Sequence, residues 1–184
     1  MIEQRFDDWN AFKAQIGHTA ALPQFEVDWD YAFRGMSDAS WSLSTTLDRS
    51  RTFSSNGERD RYEDNLLAHF RREAIGLLTP GTDLPSGNAL ALLARHHGLA
   101  SSWIDWTTSP YVAAYFAYSG DTQVGSDVAI WCLTRAWMTD LIHSDDIVDD
   151  PVLLRFNPRA NRQRGIFIRS RVYARRWPSR STRL

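Results

Sequence analysis

The chain has 184 residues, a formal net charge of −1, 43% hydrophobic residues and 23% charged residues. That size and balance suit one globular domain and exclude a collagenous or low-complexity chain. The single cysteine, Cys132, excludes an internal disulfide, and no apolar run approaches the length of a membrane span.

No signal-like N-terminus is visible, so the expectation is one cytoplasmic domain over residues 1–184 without membrane contact. The small net charge hides an asymmetry. Residues 1–154 hold eleven bases against all 22 acids, whereas residues 155–184 hold ten arginines and no acid. Such a split suits a nucleic-acid or phosphate partner, or an arginine-rich strand pair closing on an acidic body.

Residues 7–17 read as a short amphipathic helix, with Trp9, Phe12 and Ile16 at helical spacing, Asp7 placed to cap it and Gly17 to stop it. Residues 27–35 read as a strand. Val27, Trp29, Tyr31 and Phe33 share the face expected to be buried; Asp28, Asp30, Ala32 and Arg34 share the other. Gly35 then permits a sharp exit or the close approach of another backbone. Residues 36–57 read as irregular surface. Over 58–78 a helix is expected, with Tyr62, Leu66, Phe70 and Leu77 along one stripe and Glu58, Asp60, Glu63, Asp64, Arg71 and Arg72 on a solvated face.

Pro80, Gly81, Pro85 and Gly87 mark a loop, and a buried helix near 87–97 delivers His96 and His97. Gly98 is placed to end that helix in the left-handed conformation that a glycine adopts without a Cβ clash. The next helix begins at Pro110, which suits a first helical position, with Ser109 as its N-cap. Thr107, Thr108 and Ser109 then stand at a helix N-terminus, where free N–H groups and partial positive charge hold phosphate or carboxylate. The plainer alternative leaves Ser109 as a cap alone and Asp105 as a loop tie.

Residues 127–134 read as a fully buried strand carrying Cys132 into the core, and 136–143 as a short helix. Asp145, Asp146, Asp149 and Asp150 read as a solvated acidic loop whose spacing fits no EF-hand, so no metal site is expected. Strands at 152–156, 165–169 and 171–175 close the chain. The expected fold class is α+β, a small, mostly antiparallel sheet with packed helices.

Three blocks resemble the FRG domain, a bacterial family named for its Phe-Arg-Gly motif. They are Tyr31-Ala32-Phe33-Arg34-Gly35 with Trp41-Ser42-Leu43; His97-Gly98-Leu99 with Ile104-Asp105-Trp106-Thr107 and Ser109-Pro110; and Arg159, Gln163, Gly165 and Phe167. The motif-bearing part spans about 27–175. Many members carry a Pro-Thr-Arg-Leu-type run where this chain has Ala100-Ser101-Ser102-Trp103. If that arginine contacts ligand, Arg95 or the C-terminal cluster must supply its charge here.

A weaker likeness is to ADP-ribosyltransferases, whose first motif is an aromatic-Arg-Gly at a strand end and whose second is a Ser-Thr-Ser-like element before a helix. This likeness implies an NAD-using enzyme, with a role as toxin or anti-phage effector. Phe33, Arg34, Gly35, Thr107 and Ser109 would hold the cofactor, and His97, Asp105 and Gln163 would serve catalysis. An arginine fork suits a pyrophosphate, and Phe33, Trp103 and Trp106 offer rings for stacking. The late glutamate of many such enzymes is missing: the last is Glu73, and Gln163 at the third motif cannot act as a general base. The alternative is a non-catalytic module that senses a nucleotide or binds nucleic acid through Arg159, Arg162, Arg164, Arg169, Arg171, Arg175 and Arg176.

Overall fold

A computed structural model describes residues 4–20, 31–77, 79, 83–120, 126–150, 154 and 157–171. In chain order the elements are α1 (Trp9–Ala20), β1 (Tyr31–Met36), α2 (Thr46–Ser50), α3 (Asn56–Leu77), α4 (Gly87–His96), β2 (Trp103–Thr107), α5 (Pro110–Tyr118), β3 (Ala129–Thr134), α6 (Arg135–Leu141), β4 (Ile147–Val148), α7 (Pro158–Arg162) and β5 (Gly165–Arg169). The strands form one sheet in the order β3-β1-β2-β5-β4, every pair antiparallel. The fold is α+β, as the sequence implied. No helix among the described residues is long and apolar enough to cross a membrane.

Two clusters make the core. Ala32, Met36, Leu43, Ile104, Ile166 and Ile168 belong to one, and Leu92, Trp103, Leu154, Ala160 and Phe167 to the other. Alternation along β2 and β5 sends neighbouring residues to the two faces, so both strands serve both clusters. Helix α5 lies on β1 at Gly35. A methyl group there would collide with the Ala113 carbonyl oxygen and stand 2.7 Å from the Ala117 nitrogen, so the close approach requires glycine.

Several local readings are corrected. Helix α1 is capped by Asp8, whose Oδ1 accepts from the Asn10 and Ala11 amides at 2.7 and 2.9 Å, and it runs through Gly17. Strand β1 is covered on both faces, so Ala32 and Met36 are as buried as Phe33; residues 27–30 lie outside the described residues. The irregular stretch contains α2, capped by Thr45, whose hydroxyl accepts from the Asp48 amide at 3.0 Å. Strand β3 is outermost in the sheet, so it is half-buried and Cys132 is exposed rather than core. Desolvation still pushes that thiol up to about 11, which keeps it protonated at neutral pH.

The α3 charges are not all solvated. Arg59 and Glu63 are fully buried, and so is Asp146 in the acidic loop. Each has a partner: Arg59 donates to both Asp48 oxygens, Glu63 accepts from the Ser102 amide and Arg169, and Asp146 accepts from Arg171. Of the expected strands, 165–169 is β5; in 152–156 and 171–175 only Leu154 and Arg171 are described, and neither is in a strand.

Candidate ligand-binding site

The site begins with a divergence between strands. β1 and β2 pair at one register position, Phe33 opposite Thr107. Beyond it they part, and Arg34 reaches into the gap, where its Nη1 donates to the backbone carbonyl of Asp105 at 2.7 Å. A cavity of about 880 Å³ opens there, within the range of small-molecule sites.

The turn after α4 delivers the second wall. Gly98 has φ +90° and follows His97 as C-cap, as its sequence position implied. The Gly98 amide donates to Arg95 and the Leu99 amide to Ala94, at 2.9 and 3.0 Å, which is the paired bonding of a Schellman end. This exit places Arg95 on the last turn against β2. Its Nε donates to Asp105 Oδ1 at 2.8 Å, its Nη2 to Oδ2, and its Nη1 to the Thr46 hydroxyl at 3.2 Å.

The wall carries four guanidinium groups, from Arg34, Arg49, Arg95 and Arg159, and one carboxylate, Asp105. Desolvation pulls Arg34 below its ordinary value; Asp105 opposes this, and the charges of Arg95 and Arg49 add to it. An anion in the cavity would relieve that repulsion. For Asp105 desolvation acts upward, but the hydrogen bonds and charge of Arg95, with the charge of Arg34, hold the carboxyl below the usual carboxylate range. Arg95 is raised by the same pair, against its own desolvation. Asp105 is therefore ionised at neutral pH and a poor proton acceptor.

The structure brings together Phe33, Arg34, Gly35, Asp105, Thr107 and Gln163, all on the cavity wall. Thr107 contributes its surface while its hydroxyl donates to the Gln163 carbonyl at 2.7 Å and accepts from the Ser109 amide at 3.1 Å. Ser109 is off the wall and caps α5, its Oγ accepting from the Val112 amide at 3.4 Å. His97 also lies off the wall, its ring stacked on Phe70 of α3; His96 is the histidine on the cavity. Trp103 is core, 1% exposed, and cannot reach a ligand, whereas Trp106 is on the wall.

Trp41, Arg49 and Phe116, to which the sequence assigned no site role, line the cavity from the loop, α2 and α5. Among the C-terminal arginines, Arg159 faces the cavity, Arg162 and Arg164 are exposed, and Arg169 and Arg171 pair with Glu63 and Asp146. Arg175 and Arg176 lie outside the described residues. Among the described residues, no group of three or more His, Cys, Asp or Glu side chains is placed to hold a metal ion.

Comparison with known proteins finds a match to the family model of the FRG domain over residues 29–125. No curated protein and no solved structure matches the chain.

Proposed function

The chain belongs to the FRG domain family, and on that premise we propose that its cavity binds a nucleotide diphosphate of the NAD class. The observation that carries this reading is the convergence of Arg34, Arg49, Arg95 and Arg159 on one hollow that also holds aromatic side chains. Guanidinium forks suit the paired oxygens of a pyrophosphate, and flat rings suit a base. Gln163, whose carboxamide both donates and accepts, suits a ribose hydroxyl.

With NAD as ligand the site supports transfer of ADP-ribose. The bond from the ribose anomeric carbon to the nicotinamide nitrogen breaks, and nicotinamide leaves with the bonding pair. A nucleophile then bonds to that carbon and loses its proton to solvent. Positive charge develops on the ribose, and an ionised carboxylate stabilises it better than a neutral acid would. Asp105 is such a carboxylate. It replaces the missing late glutamate as an electrostatic group and not as a general base. An activity of this kind would deplete NAD in a cell, in keeping with a toxin or anti-phage effector.

The test is calorimetric titration with NAD, ADP-ribose and inorganic pyrophosphate, alongside chromatographic detection of released nicotinamide. Binding of all three supports the site; nicotinamide release that falls at least about tenfold in Asp105→Asn supports the chemistry. Binding without release leaves the sensing module, which the short supply of acid–base groups favours. Absence of binding overturns the reading.

A further inference from the structure

Trp41 is an exposed aromatic side chain that nothing in the fold accounts for. It sits in the loop between β1 and α2, 55% exposed, on the cavity wall. Among the described residues its indole has neither a ring partner nor a hydrogen bond. Yet the loop that carries it is pinned. The Trp41 amide donates to Asp38 at 3.2 Å, the Ser40 amide and hydroxyl both donate to the Asp38 carboxylate, and the Ala39 amide donates to Asp127 at 2.8 Å. Ala39 and Leu43, on either side, are 5% and 2% exposed. A large apolar side chain is thus carried on a pinned turn while being kept out of the core.

The residues that follow continue along the same wall. Ser42 and Ser44 place hydroxyls on that wall, and Arg49 ends the run with its Nη1 held by the Ser44 carbonyl at 2.7 Å. One short segment therefore presents an aromatic face, then hydroxyls, then an ordered guanidinium. That order matches base, ribose and phosphate.

We infer that Trp41 is the stacking platform for the base of the ligand, so that the cavity selects aromatic nucleotides over simple polyphosphates. This rests on the nucleotide reading above. A ring carried on an ordered turn loses less freedom when a base settles on it than one on a mobile loop, which favours stacking.

The experiment compares the binding of ADP-ribose and of inorganic pyrophosphate by the full chain and by Trp41→Ala and Trp41→Phe. The expected result is an ADP-ribose affinity about 5- to 150-fold weaker in Trp41→Ala, from loss of about 1–3 kcal/mol of stacking. Trp41→Phe should fall between, pyrophosphate affinity should not change, and melting temperatures should match. Unchanged ADP-ribose affinity in Trp41→Ala overturns the inference while leaving the anion site standing. Equal loss for both ligands also overturns it, since the ring would then only shape the wall. If the unaltered chain binds neither ligand, the nucleotide reading itself fails and the inference with it.

Discussion

Arg95 grips Asp105 through both carboxylate oxygens, although the Asp105 side chain is 51% exposed to the cavity. The pair joins the last turn of α4 to the middle of β2, and the same guanidinium reaches Thr46 on α2. One arginine thereby ties three elements at the cavity rim.

This pair makes stability depend on pH in a definite direction. The folded-state pKa of Asp105 is depressed. Its stabilisation is therefore complete above the unfolded value of about 3.9 and is lost as pH falls through the lower folded value. Asp105→Asn should be less stable than the unaltered chain near neutral pH, and the gap should close below about pH 4. Urea denaturation at a series of pH values checks this, and a gap independent of pH would contradict it.

Glu63 holds the sheet from beneath. Its oxygens accept from the Ser102 amide at 2.6 Å and from Arg169 at 3.2 Å, and it is 2% exposed. Glu63→Ala leaves the buried Ser102 N–H unpaired and takes the carboxylate from Arg169, which keeps only the Ser102 hydroxyl, for a loss of about 3 kcal/mol. Glu63→Gln keeps an acceptor and should lose less. The urea midpoints of the two variants give the order.

Gly35 faces backbone, which cannot swing aside as a side chain end would. Gly35→Ala should cost about 3 kcal/mol or more by forcing α5 away from β1. Because the β1–α5 contact forms one cavity wall, ligand affinity should fall along with the melting temperature.

Arg34 should show the opposite balance. Its guanidinium is desolvated and faces the like charges of Arg95 and Arg49. Arg34→Met removes that repulsion, so its melting temperature should equal or exceed that of the unaltered chain. Affinity for pyrophosphate should fall by about 10- to 100-fold, the loss of a charge-assisted contact. A variant that is unstable and binds normally would reverse the assignment.

The legible parts of the chain were those governed by local chemistry. Gly98 ended α4 and Ser109-Pro110 opened α5 because positive φ and a missing N–H are properties of single residues in their places. The Phe33-Arg34-Gly35 block and the Ile104-Asp105-Trp106-Thr107 block marked two cavity walls for the same reason, since each is a short continuous motif. His97 and His96 were harder to separate. They are adjacent, and only the pitch of α4 decides which one meets the cavity and which meets Phe70.

By itself the sequence determined the α+β character, the end of α4 and the start of α5, the family and the presence of an arginine beside a glycine at a strand end. Tertiary structure alone decided which charges are buried, that β3 is outermost, and that Trp41 and Arg49 join Arg34 across one cavity. The physical reason is range. Capping and alternation act over a few residues, whereas the partner of Glu63 is Arg169, and no periodicity in a chain reports a contact made 106 positions away.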